Sequence, residues 1–260
     1  MRLNLHEWGE PTAPPLVCLH GITAHGRRFR KLAEERLATR WHVLAPDLRG
    51  HGRSEWEPPW TMRTHLEDAL ETTGVERAVW LGHSFGGRLV LELAAREPER
   101  VEAAVLLDPA IQLLPHVAMN MADEERKDHS YASAEEAIQA RIDSGRVFHT
   151  PHELLEEEMR EHLQPDPDGR LRFRYSPSAV IAAYSELAIP PPPFDQVSVP
   201  TLLVLGRQTW LVLDDQLSEY GAALGDLLEV VYVPGGHTVF WDSFEDTAIA
   251  VEAFLSKVAA

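Results

Sequence analysis

The sequence predicts an α/β protein: a mostly parallel sheet flanked by helices, interrupted once by a mainly helical insertion. Three observations carry this. Short, continuously apolar runs such as PLVCL, WHVLA and VEAAVLL lack the polar alternation of a half-exposed strand, so both faces of each are buried. Segments of helical period separate them. After Asp108-Pro109 the rhythm stops, and it resumes only with TLLVLG at 201–206.

The elements follow in order. PLVCLHG (15–21) is a strand that runs into a histidine and a glycine, and 27–39 has helical spacing through Phe29, Leu32, Ala33 and Leu37. WHVLAPD (41–47) is the next strand, and DLRGHGRS (47–54) is a polar, glycine-rich loop. Residues 62–73 form a helix with Thr61 at its N-cap. VERAVWLGHS (75–84) is a strand, 85–97 a helix, and VEAAVLLDP (101–109) a strand. The insertion holds acidic helical stretches and DPDGRLRFRYS, a hairpin or a loop, and closes with the stiff IPPPPF (189–194). Strand 201–206, helix 214–224, strand 227–236 and helix 243–258 complete the chain. The expected organisation is a core over 1–109 and 196–260, with a cap over 110–195. Sites in open parallel sheets lie beyond the carboxyl ends of the strands, and an insertion that leaves from Asp108 would cover that edge.

The 260 residues are 44% hydrophobic and 25% charged, as in an ordinary globular protein. The single cysteine, Cys18, lies in an apolar run, which excludes a disulfide framework and a cysteine-rich metal site. The net charge of −17 argues against nucleic acid and anionic membrane surfaces as partners. The start of the chain has no signal-like apolar stretch, and no run reaches the ~20 residues of a membrane span. A cytoplasmic monomer or homodimer that acts on a small molecule is the expectation.

Residues 82–86, Gly-His-Ser-Phe-Gly, stand between a strand and a helix. Flanking glycines let the two elements approach at a sharp turn, and the turn holds Ser84 in a strained conformation with its hydroxyl over the sheet edge. The following helix aims its free N–H groups there, and they favour developing negative charge. Phe85 supplies one backbone N–H of an oxyanion hole.

With LHGI (19–22), DLRGHGRS (47–54), GHSFGG (82–87) and PGGHTVFWD (234–242), in this order, the sequence resembles the α/β-hydrolase superfamily. Within it the chain is similar to the esterase and lipase group whose helical cap lies between the sixth and seventh strands. The resemblance implies Ser84 as nucleophile, His237 as general base, and Ile22 N–H as the second oxyanion donor. It leaves His20 to brace the oxyanion loop and His83 to pack. It implies cleavage of carboxylic esters through an acyl-enzyme, with no cofactor and no metal, and the apolar insertion and acidic surface favour small to medium, uncharged hydrophobic substrates. C–C bond hydrolases and lactonases reuse this machinery, and some members of the fold only bind ligands.

The acid departs from the commonest pattern. That pattern puts an aspartate three residues after the glycine that ends the seventh strand, where this chain has Thr209 after Gly206. Asp108, at the end of the sixth strand, is the favoured acid. Asp214 or Asp215, at the start of the next helix, is the alternative, with N-capping as their plain explanation. His149, His152 and His162 lie near glutamates in the insertion, where a solvated helix face outweighs a metal site. Leu113, Leu114, Met119, Met121, Tyr131, Tyr184 and Leu187 of the insertion, with Trp210, Phe240 and Trp241, are candidates for a pocket wall.

Overall fold

A computed structural model describes residues 1–145 and 147–258. Its main sheet is built from β1 (Leu5–Trp8), β2 (Pro15–Leu19), β3 (His42–Pro46), β4 (Ala78–His83), β5 (Val101–Leu107), β8 (Thr201–Gly206) and β9 (Leu228–Val233). The spatial order is β1-β3-β2-β4-β5-β8-β9. Only β1 pairs antiparallel, with β3; the pairings of β2, β4, β5, β8 and β9 are parallel. β1 is an element that the sequence reading did not identify.

The central strands are apolar throughout because both faces are covered. Leu16, Val17, Cys18 and Leu19 of β2 and Val79, Trp80 and Leu81 of β4 are fully buried. One side of the sheet packs Trp80, Phe85, Leu89 and Tyr220; the other packs Phe29, Leu32, Phe240 and Phe254. Chain order reverses direction between β2 and β4, so the crevice beyond their carboxyl ends is the natural ligand position.

The helices are α1 (Arg30–Leu32), α2 (Met62–Thr73), α3 (Phe85–Arg96), α4 (Pro115–Glu125), α5 (Ala134–Asp143), α6 (His152–His162), α7 (Pro177–Leu187), α8 (Asp214–Leu224), α9 (Val239–Asp242) and α10 (Phe244–Val258). Thr61 caps α2, its Oγ1 accepting from Thr64 N at 3.1 Å. The helix expected over 27–39 is irregular: a 3-10 turn at Gly26–Phe29 leads into α1, and a π turn spans Ala33–Leu37. Asp214 and Asp215 lie in the first turn of α8 and not at its cap. Leu213 holds the cap position and donates its N–H to Gln216 Oε1 at 3.0 Å.

The segment between β5 and β8 contains α4 to α7 and an antiparallel hairpin, β6 (Leu163–Pro165) with β7 (Leu171–Phe173). Arg88 of α3, fully buried, ties both ends of this segment to the core. Its guanidinium donates to the carbonyls of Ile111, Ile189 and Pro190, with Glu92 as its counter-ion. The same segment lies along the 47–54 loop: Gly52 N donates to Arg174 O and Ser176 N to Gly50 O, each at 2.7 Å.

Candidate active site

β4 ends at His83 and α3 begins at Phe85, so Ser84 alone makes the turn between strand and helix. It does so with φ 54° and ψ −118°, a conformation that costs a non-glycine residue free energy and persists only where the surroundings enforce it. The enforcement is visible. A Cβ on Gly82 would lie 2.3 Å from Gly86 O, and one on Gly86 would lie 2.0 Å from Leu19 O. Larger residues would therefore push α3 away from β4 and β2. Ser84 N donates to Leu107 O at 3.2 Å, and Ser84 O accepts from Ala110 N at 3.0 Å, which fixes the elbow against the exit of β5.

The loop after β2 presses on the serine: a Cβ on Gly21 would stand 2.9 Å from Ser84 Cβ. Ile22, next in the chain, is thus held beside Ser84. Phe85 N–H, first of α3, has no intrahelical acceptor. His20 braces the loop. Its Nδ1–H donates to Gly21 O and its Nε2 accepts from Leu48 N, both at 2.8 Å. Those roles require a neutral ring, and burial holds the His20 pKa well below the ordinary histidine value.

Asp108 follows β5 with φ 41° and is fully buried. Its Oδ2 lies 2.6 Å from His237 Nδ1, across 129 residues of sequence. A carboxylate only accepts, so Nδ1 carries a proton, and in the neutral ring the lone pair is then on Nε2. Asp108 Oδ1 accepts from Thr209 Oγ1 at 2.9 Å and from Gly206 N at 3.2 Å. The His237 side chain is 35% exposed, on the open side of the site. Among the described residues Ser84 Oγ has no hydrogen-bond partner.

The histidine loop has its own supports, which the sequence did not reveal. His83 does more than pack: its Nε2–H donates to His237 O at 2.9 Å, and the two rings lie 4.6 Å apart. Burial, reinforced by His237, keeps His83 well below the usual histidine pKa. Asp242 Oδ2 accepts from Gly236 N at 2.9 Å, and Asp242 Oδ1 accepts from Thr150 Oγ1 of the inserted segment. A carboxylate five residues past a histidine is too common a pattern to flag in a sequence.

A second buried cluster joins α6 to the core. Glu158, 2% exposed, accepts from Arg28 Nε at 2.9 Å, from Arg28 Nη2, from Arg141 Nη1 at 3.3 Å and from His25 Nε2 at 2.9 Å. Burial alone would raise its pKa. Arg28, His25 and Arg141 outweigh that and hold the carboxyl well below the ordinary value. His162 stacks on His25 with ring centroids 4.7 Å apart. Of the three histidines noted in the insertion, His152 faces Glu156 at 3.6 Å on the exposed side of α6 and His149 is exposed, whereas His162 is fully buried, not on the solvated face that the sequence suggests, and one of its ring nitrogens lies within 4.8 Å of ligand-type atoms of His25 and Glu158.

The candidate wall residues divide. Leu113, Tyr184, Leu187, Phe240 and Trp241 are buried packing, whereas Leu114, Met119 and Trp210 are exposed. Phe148, which the sequence reading did not single out, lies against the turn before His237: a Cβ on Gly236 would meet its ring at 2.0 Å.

Fold and site together define an α/β hydrolase. The family model described as "alpha/beta hydrolase fold" matches residues 14–244, and the chain belongs to that family. Among its relatives, Lipase LipV of Mycobacterium tuberculosis is 34% identical over 243 residues, 91% of each chain. A 3-hydroxybutyrate-oligomer hydrolase of Cupriavidus necator is 29% identical, over 97% of this chain and 92% of its own. The solved structure of E-2-(acetamidomethylene)succinate hydrolase superposes with a TM-score of 0.86 at 28% identity, over 98% of this chain and 95% of that one.

Proposed function

We propose that this protein is a serine hydrolase of small to medium carboxylic esters. The observation that carries the reading is the 2.6 Å contact of Asp108 with His237 Nδ1, made on the sheet edge from which Ser84 projects. His237 Nε2 takes the proton from Ser84 Oγ as that oxygen bonds to the ester carbonyl carbon. The Ile22 and Phe85 N–H groups hold the resulting oxyanion, a contribution of about 10²–10³-fold per donor. The tetrahedral intermediate collapses, His237 gives its proton to the departing alcohol, and the acyl group stays on Ser84. Water, deprotonated by His237, then releases the acid and restores the serine. Asp108 keeps the ring in the Nδ1–H tautomer and stabilises the imidazolium. No step calls on a cofactor.

Uncharged substrates fit the exposed apolar ring of Phe148, which the inserted segment lays against the histidine turn. A second reading has one observation in its favour. Arg28 and Arg141 share the single carboxylate of Glu158 beside the loop that carries Ile22, and one structural relative is named for a succinate derivative. An acyl group that ends in a carboxylate would suit that surplus of positive charge.

The test is hydrolysis of p-nitrophenyl esters of increasing acyl length, with hemisuccinate and hemiglutarate esters alongside, by wild type and Ser84→Ala. Turnover that vanishes in Ser84→Ala supports the hydrolase. Preference for neutral chains supports the first reading, and preference for the acidic esters the second. Wild-type turnover no higher than that of Ser84→Ala on every ester refutes both.

A further inference from the structure

We infer that Thr209 is a positioning residue for the catalytic acid: its hydroxyl holds Asp108 so that a single oxygen, Oδ2, faces His237. The inference rests on the hydrolase reading above and deepens it.

An aspartate carboxylate turns easily about its last bond, because that torsion is broad and two-fold. Asp108 is fully buried, so no solvent fixes the carboxylate plane, and an unfilled Oδ1 would be costly. Two donors settle both matters. Thr209 Oγ1 donates to Oδ1 at 2.9 Å and Gly206 N at 3.2 Å, while Oδ2 is left to His237 Nδ1 at 2.6 Å. With Oδ1 filled from one side, the carboxylate plane is set, and with it the imidazole that Oδ2 holds.

Thr209 is itself held by the two segments it serves. Its methyl Cγ2 packs on Gly206, where a Cβ would come within 2.8 Å of it, so the hydroxyl on the other branch is turned toward Asp108. The 206–209 turn is tied to the strand and turn that lead to His237: Arg207 N donates to Val233 O at 3.0 Å and Gln208 N to Gly235 O at 3.1 Å. The residue standing where the sequence pattern lacks its acid thus bonds the acid supplied from the neighbouring strand. Of the two donors to Oδ1, the Gly206 N–H belongs to the main chain. Thr209 is the one that substitution can remove.

The test compares Thr209→Val, which keeps the shape and loses the hydroxyl, with Thr209→Ser, which keeps the hydroxyl. A hydrogen bond to a charged, buried group corresponds to about 10- to 100-fold. The expected result for Thr209→Val is a kcat at least about 10-fold lower with KM within about twofold, and for Thr209→Ser a kcat within about threefold of wild type. In an Asp108→Ala background the valine substitution should cost less than about twofold, because the carboxylate that Thr209 holds has gone. A Thr209→Val kcat within twofold of wild type overturns the inference, as does a serine variant as slow as the valine one. A loss confined to KM would do the same. Wild type indistinguishable from Ser84→Ala would refute the hydrolase reading instead. In that case the downfield imidazole N–H signal of His237, followed by NMR, decides the role of Thr209. The signal should persist in wild type and Thr209→Ser and broaden or shift in Thr209→Val; an unchanged signal in Thr209→Val overturns it.

Discussion

Replacing Glu158 by glutamine keeps its size and removes one charge from the junction of α6 with the core. In the native protein the side chains of Glu158 and Arg28 are 1% and 7% exposed, and Arg141 and His25 complete the cluster. The amide still accepts one hydrogen bond from Arg28. It then leaves the guanidinium of Arg28 without a counter-ion where water barely reaches, and that of Arg141, 22% exposed, without its own. Breaking a buried pair from one side costs about 3–5 kcal/mol, chiefly as the penalty of the stranded charge. For a domain of this size each kcal/mol lowers Tm by about 2–4 °C, so a fall of about 10 °C is expected. Circular dichroism melts of wild type and Glu158→Gln measure it. Glu67→Gln is the control, since its partner Arg63 is 86% exposed and Glu67 itself 57%. The control should leave Tm unchanged, and added salt should not mask the Glu158 effect, because buried pairs are weakly screened. A Glu158→Gln shift below about 2 °C, or one equal to the control, would refute the reasoning that this cluster clasps the inserted segment to the core.

Other outcomes follow from the same structure. Burial lowers the pKa of His51 to about 4 and of His65 to about 3. The unfolded chain binds protons below about pH 6.5 that these rings refuse, so stability must fall as pH drops from 6.5 toward 4, by about 1.4 kcal/mol per unit for each ring. Urea melts across that range check the slope, and a flat profile would contradict it. Gly86→Ala places a methyl 2.0 Å from Leu19 O and should cost about 3 kcal/mol together with most of the activity, read by urea melt and ester assay. Asp108→Asn should lower kcat about 10⁴-fold in a protein that still melts cooperatively, because the amide no longer selects the Nδ1–H tautomer.

Sheet and elbow were legible because their signals are local. A continuous apolar run marks a strand buried on both faces, and two glycines around a serine mark a turn that only small neighbours permit. The sequence predicts a strand at 101–109, and β5 occupies Val101–Leu107; it predicts a helix at 85–97, and α3 occupies Phe85–Arg96. β1 escaped notice because LHEW, an edge strand with polar residues, has no apolar run to announce it. The broken helix near Arg30 depends on packing against the core, which periodicity does not encode. The site was partly legible. Ser84, His237, Ile22 and Phe85 carry motif positions, whereas the choice among Asp108, Asp214 and Asp215 turns on a contact across 129 residues. The roles of Thr209, Asp242 and Glu158 are of the same kind. Each is an ordinary residue until the fold supplies its partner.

If Ser84 carries the acyl group, acid-quenched mass spectrometry during turnover of p-nitrophenyl acetate will find it on that residue. The peptide spanning Ser84 should gain one acetyl group within the first turnovers, lose it as substrate is exhausted, and never gain it in Ser84→Ala. Steady turnover with no acyl adduct on that peptide, or an adduct that forms equally in Ser84→Ala, would contradict Ser84 as the acyl carrier.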